Sequence, residues 1–240
     1  MSYQRIKTKQ IRIGSKLVGG GAPITVQTMT KTDTRDADAT ISQIKELESI
    51  GCEIVRLAVP DQVAAESLWE IKKNTSIPIV ADIHFDYRLA LTAIESGVDA
   101  LRINPGNIGE QKRVQTLVGA AAERDIPIRI GVNMGSLDSN IEDKYGRTAQ
   151  GLVESALSHV SLLERENYHN IVISVKATSV PVTIQAYRML SEKVDYPLHL
   201  GVTEAGGLWV GTIKSSIGIG SLLADGIGDT IRVSLNRPSQ

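Results

Sequence analysis

The chain has 240 residues, 26 Lys+Arg, 27 Asp+Glu, four His and one Cys. That length suits one large domain with a full core. A net charge of −1 excludes a global basic field for nucleic acid, and aromatics at 4% exclude a base-stacking platform. The lone Cys52 excludes an internal disulfide framework and a cysteine-ligated cluster built from this chain alone, and reads as a packing residue. No apolar run reaches the roughly 20 residues needed to span a bilayer. The basic N-terminus, MSYQRIKTKQIRIGSK, has no apolar core of a secretory signal. The expectation is a cytoplasmic protein with neither nucleic acid nor membrane as partner.

In chain order, residues 7–20 (KTKQIRIGSKLVGG) read as a hairpin that plugs the bottom of whatever fold follows. Strands are predicted at 24–28, 53–59, 78–83, 99–104, 127–133, 170–176, 197–202 and 229–234. Each is rich in Val, Ile or Leu, and several begin after Pro, Gly or Asp. Helices are predicted between them at 36–50, 61–74, 86–96, 110–124, 148–167, 181–193 and 207–225. The first places Ile41, Ile44, Leu47 and Ile50 at spacings of three and stops at Gly51. Alternating strands and helices of this length predict an α/β protein, a (β/α)8 TIM barrel. A doubly wound sheet is the alternative, but no glycine-rich phosphate loop follows the first long strand. Gly218 and Gly220 lie inside a helical pattern instead. The last residues, 235–240 (LNRPSQ), cannot form an eighth helix, so the flanks of the first and eighth strands are expected to be open.

Five strands carry a cation inside an apolar stretch: Arg56, Arg102, Arg129, Lys176 and Arg232. A buried guanidinium costs several kcal/mol unless paired or ligated, so five on one barrel point to a ligand. They fall near the C-terminal strand ends, where barrel active sites lie. Alternation of side chains puts Arg102 on a face with Asn104, and Arg129 with Asn133, past a small Gly131. The same rule puts Lys176 with Ser174, and Arg232 with Ser234. Asp82 and His84 share a face as a structural pair, as ligand-binding or acid–base groups, or as metal ligands. Only one His is in play there, which weakens the metal reading. Glu204, after the seventh barrel strand, is either a substrate-contacting carboxylate or a counter-ion. A cationic mouth on a slightly acidic chain predicts a small polyanion with more than one phosphate. Lys176 is also a candidate Schiff-base nucleophile of a cluster-free lyase or aldolase. A non-catalytic phosphometabolite-binding barrel is the third class.

The strings GAPITVQTMT, IVRLAVP, VADIHFDYRLA, LRINPGNIG, IRIGVNMGSL, SVKATS, LHLGVTEAGG and GIGDTIRVSL run in order through residues 21–235. They closely resemble the 4-hydroxy-3-methylbut-2-en-1-yl diphosphate synthases, bacterial enzymes of the methylerythritol phosphate route to isoprenoids. The resemblance implies a TIM barrel that binds 2-C-methyl-D-erythritol 2,4-cyclodiphosphate. It implies a diphosphate clamp of Arg56, Arg102, Arg129, Lys176, Arg232 and Ser234. Asp82, His84, Asn104, Asn133 and Glu204 would surround the carbon skeleton, with Glu204, Asp82 and His84 as the catalytic candidates. The family's C-terminal domain, holding a [4Fe–4S] cluster through three Cys and a Glu, has no counterpart in residues 1–240. No cluster ligand is therefore expected here, and the chain alone is expected to be inactive. Flavodoxin or ferredoxin as electron donor, and a homodimer, are implied for the full-length enzyme.

Overall fold

The computed structural model describes residues 4–104, 107–109 and 111–235. A short hairpin comes first, β1 (Ile11–Ile13) and β2 (Lys16–Val18), paired antiparallel. Strand and helix then alternate: β3 (Thr25–Met29), α1 (Ala37–Ser49), β4 (Ile54–Ala58), α2 (Gln62–Lys73), β5 (Ile79–Asp82), α3 (Tyr87–Glu95), β6 (Ala100–Ile103), α4 (Gln111–Glu123) and β7 (Ile128–Asn133). A 3-10 turn (Met134–Ser136) and a short helix α5 (Ser139–Tyr145) precede α6 (Ala149–Glu164), β8 (Ile171–Lys176), α7 (Val180–Ser191), β9 (His199–Leu200), α8 (Leu208–Ala224) and β10 (Thr230–Ile231).

The eight strands from β3 to β10 form one parallel sheet in the order β8-β7-β6-β5-β4-β3-β10-β9. Thr25 and Val26 of the first barrel strand pair with Thr230 and Ile231 of the last. A parallel bridge between Ile173 and Leu198 joins the two remaining ends. The sheet is therefore a ring and not an open doubly wound sheet. Helix starts follow from local chemistry. Asp36 accepts from the Ala39 N–H and Asp61 from the Ala64 N–H, each at 3.0 Å, and Thr148 accepts from the Gly151 N–H at 3.2 Å.

Strand alternation divides the core in two. Outward residues such as Val55, Leu57, Leu101, Ile103, Ile128 and Ile130 pack against the helices. Inward residues at the barrel bottom, Ile54, Val80, Ala100 and Val172, meet Ile11, Ile13 and Val18 of the hairpin. The hairpin thus plugs the bottom. Asp229 pins it: Arg5 Nη2 lies 2.8 Å from Asp229 Oδ1, Thr8 Oγ1 donates to the same oxygen at 3.1 Å, and the Leu198 N–H donates to Oδ2 at 2.9 Å.

The elements depart from expectation at two places. The stretch between β7 and α6 holds α5, which the sequence reading missed because its seven residues are too few for a helical period. The strands expected at 197–202 and 229–234 are only β9 and β10 in extent. Pro197 lacks a donor, and one bridge is the whole β8–β9 pairing among the described residues. Gly218 packs in α8, where a Cβ would lie 2.9 Å from Val202 Cγ2, so this glycine serves helix packing. The outer flank of β3 and β10 is open among the described residues, with Val26 44% and Val233 47% exposed. Residues 236–240 lie outside the described part. Among the described residues, no helix is long and apolar enough to cross a membrane.

Candidate active site

Register builds the site. On β4, β5, β6, β7 and β8, every second side chain faces the barrel axis. The sheet sets Asp82 beside Arg102, Arg102 beside Arg129, and Asn133 beside Lys176. Met29 lies beside Arg56. Toward the C-terminal end the interior is therefore polar, where such barrels usually stack branched aliphatics. Arg56, Asp82, His84, Arg102, Arg129, Asn133, Lys176, Arg232 and Ser234 line one cavity of about 260 Å³, with Met29, Gly131, Ser174, Val202 and Thr203.

The charges in this cavity do not balance. Asp82, 3% exposed, is its one carboxylate among the described residues. Arg102 Nη1 donates to Asp82 Oδ1 at 3.0 Å, and Arg56 Nε lies 3.4 Å from Oδ2, an ion pair without hydrogen-bond geometry. Arg56 Nη2 also reaches Met29 Sδ at 3.1 Å. His84 is mostly exposed and holds Nε2 3.6 Å from Asp82 Oδ1. Burial pushes the Asp82 carboxyl up, but Arg56 and Arg102 together hold it below its ordinary range.

Among the described residues, the other three cations have no such partner. Arg129 is buried, donates to the neutral Gln27, and leaves Nε without an acceptor. Lys176 is buried and forms no hydrogen bond or ion pair among the described residues. Arg232 likewise leaves Nε unpartnered. Burial, then the neighbouring cations Arg129, Arg56, Arg232 and Arg102, pull the Lys176 amine well below its ordinary value. Burial, then Arg56 and Arg102, does the same to Arg129. Burial lowers Arg56 to about 10, against the pull of Asp82. The guanidiniums stay charged at neutral pH, so mutual repulsion is built into the cavity. Several anionic oxygens on one ligand would relieve it.

Two glycines make this crowding possible. A Cβ at 131 would lie 2.5 Å from Arg102 Nε, and a Cβ at 201 would lie 2.8 Å from Lys176 Nζ. The room at Gly131 is used by Arg102 and not by its strand neighbour Arg129.

Two candidates stand apart. Asn104 is buried with Oδ1 unpartnered, but it does not line the cavity. Glu204 is exposed, in the left-handed region at φ 49°, and lines an adjoining groove of about 560 Å³ with Arg147, Ser136 and Ser179. Asn133 and Thr203 line both compartments. Sequence reasoning missed Met29, Gln27 and Thr203. A signal existed for Gln27, a long polar side chain that shares a strand face with Thr25 and Met29.

Residues 8–240 match the family described as the GcpE TIM-barrel domain. The chain belongs to the GcpE TIM-barrel family. It is 62% identical over 233 residues to a Clostridium acetobutylicum protein named 4-hydroxy-3-methylbut-2-en-1-yl diphosphate synthase (flavodoxin), covering 97% of this chain and 67% of that one. A Geobacter sulfurreducens protein of the same name is 60% identical over 232 residues, covering 96% and 66%. The chain thus spans about two thirds of the length of the curated relatives it matches. Among solved structures, it is similar to 3-dehydroquinate dehydratase from Geobacillus kaustophilus, with TM-score 0.65 and 15% identity over 99% of this chain and 91% of that one. It is also similar to Yersinia pestis dihydropteroate synthase, with TM-score 0.62 and 11% identity over 93% and 90%. At such identities the likeness shows the barrel alone.

The described residues of this GcpE barrel do not fit an iron–sulfur cluster. Cys52 is the one cysteine of the chain, buried, with Sγ donating to the Ile54 carbonyl at 3.2 Å. Burial pushes its thiol up, away from the thiolate a cluster needs. No group of three His, Cys, Asp or Glu is arranged to hold a metal among the described residues.

Proposed function

We propose that this chain is the substrate-binding barrel of a 4-hydroxy-3-methylbut-2-en-1-yl diphosphate synthase. In this reading it binds 2-C-methyl-D-erythritol 2,4-cyclodiphosphate, the substrate of a two-electron reductive ring opening and dehydroxylation. The observation that carries the reading is the charge imbalance: five cations converge on one cavity with a single carboxylate among the described lining residues. A monophosphate would leave several of them unpaired, whereas two linked phosphates present more anionic oxygens to share among them. The names of relatives about 60% identical support the same reading.

Arg129, Lys176 and Arg232, which lack carboxylate partners among the described residues, are the primary phosphate contacts, with Ser234 beside them. Arg56 and Arg102 present their remaining N–H groups from the rim of Asp82. His84, oriented by Asp82 at the mouth, is the acid–base candidate within the cavity. Asn133 bridges to the groove where Glu204 waits, so Glu204 would act on the part of the substrate that leaves the cation cage. Electron delivery belongs to a [4Fe–4S] cluster held elsewhere, with flavodoxin or ferredoxin as donor, in a cytoplasmic homodimer of the full-length enzyme.

Calorimetric titration of the chain with the cyclodiphosphate tests this. Saturable binding, far tighter than that of a sugar monophosphate, is expected. Equal affinity for the two would refute the diphosphate reading. One observation favours a second reading, the cluster-free aldolase. The buried, pKa-depressed Lys176 amine has the character of an imine-forming nucleophile. Borohydride with a phosphosugar would trap an adduct at Lys176 under that reading and none under the first.

A further inference from the structure

Beneath the five cations the barrel interior is neutral. Gln27, Thr25, His199 and Thr230 are all buried there, each at most 3% exposed. Burial, then Arg129 and Lys176, holds His199 well below its ordinary value, so it adds no charge. Arg129 rests on this floor. Its Nη1 donates to Gln27 Oε1, and it makes no ion pair with a carboxylate among the described residues. Arg56 and Arg102 are treated differently: both turn to Asp82.

A guanidinium this deep is ordinarily matched by a carboxylate. Glutamate has the shape of glutamine and would accept the same hydrogen bond. It would also cancel the charge of Arg129. The amide therefore solves a specific problem, since it anchors the arginine without neutralising it. Arg129 is left with a buried charge that no carboxylate contacts among the described residues, and that charge is what a ligand meets.

We propose that Gln27 is a charge-preserving positioning residue: it fixes Arg129 under the cavity and leaves its full positive charge for the anion. This rests on the diphosphate reading of the cavity and adds a residue that never touches the ligand. It also explains why a long polar side chain points inward on β3, a strand that contributes only Met29 to the cavity lining.

The test uses the whole chain and its Gln27→Glu and Gln27→Met variants, with inorganic pyrophosphate as probe. Calorimetry is run at several ionic strengths, beside thermal melts without ligand. Gln27→Glu is expected to melt higher than the unmodified chain, to bind pyrophosphate at least about tenfold more weakly, and to show a shallower salt dependence. Gln27→Met, which keeps the charge but loses the acceptor, is expected to lose less affinity with the salt dependence unchanged. A merely structural acceptor role predicts unaltered affinity in Gln27→Glu, and that result overturns the proposal. So does a Gln27→Glu chain that melts lower or fails to fold. If the unmodified chain binds neither pyrophosphate nor the cyclodiphosphate, the diphosphate reading falls. The melts still judge Gln27 in that case: a Gln27→Glu chain no more stable than the unmodified one overturns its role independently.

Discussion

Arg102 lies across the strand at Gly131, with Nη2 donating to the Gly131 carbonyl at 3.0 Å and Nε where a Cβ would intrude at 2.5 Å. The same guanidinium holds Asp82 through Nη1. One missing methyl group on β7 therefore sets the geometry of an ion pair on β5 and β6.

Gly131→Ala is expected to push Arg102 off Asp82. Overpacking of this kind costs about 1–3 kcal/mol. Pyrophosphate affinity should fall by an order of magnitude or so, since the two arginines around Asp82 no longer hold their orientation. Urea unfolding and calorimetry on the same preparation would check both. Undiminished affinity would mean that Arg102 finds an equivalent pose.

Asp82→Asn should destabilise the chain by about 3–5 kcal/mol at neutral pH, the typical cost of leaving buried charges unpaired. The pH dependence has a definite sign. The folded-state Asp82 is held below its ordinary range, burial being outweighed by Arg56 and Arg102. Its contribution is thus fully present above the unfolded value of about 3.9 and fades as pH falls through the lower folded value. Unfolding midpoints of chain and variant should converge in acid. A gap that stays constant from pH 7 to pH 3 would contradict the assignment.

Lys176→Met is expected to do two opposite things. Replacing a crowded buried amine with an apolar chain of similar length should stabilise the fold by about 1–4 kcal/mol. It should also weaken pyrophosphate binding tenfold or more. Burial and the surrounding Arg129, Arg56, Arg232 and Arg102 depress the folded Lys176 value, so the unfolded chain binds more protons between the folded value and about 10.4. Stability of the parent chain should therefore rise with pH across that window. The variant should lack the Lys176 part of this slope, and melting curves from pH 7 to pH 10 would reveal it.

Arg129→Glu should abolish cyclodiphosphate binding while the far-ultraviolet spectrum and melt remain those of a folded barrel. The reversal removes one cation that has no carboxylate partner among the described residues and puts a carboxylate among the other four. Affinity close to that of the parent would refute the clamp.

Much of this arrangement was legible in the sequence, because it depends on local regularities. Helix period, the stop at Gly51, and the alternation of strand side chains are all set within a few residues. Alternation told which residues share a face with Arg102, Arg129, Lys176 and Arg232, and the position of all five cations, Arg56 included, near strand ends pointed to one barrel mouth. Which cation meets which carboxylate was not legible, because it depends on closure of the ring and on register across strands far apart in sequence. Only the tertiary structure pairs Asp82 with Arg56 and Arg102, sets Gln27 under Arg129 from 102 residues away, and leaves Lys176 without a counter-ion among the described residues. It also sends Glu204 outward through a left-handed backbone that no residue pattern announces. The sequence by itself determined how much positive charge this barrel carries. The tertiary structure decided which of that charge is already spent, because ion pairing falls off with distance and distance is a property of the closed ring.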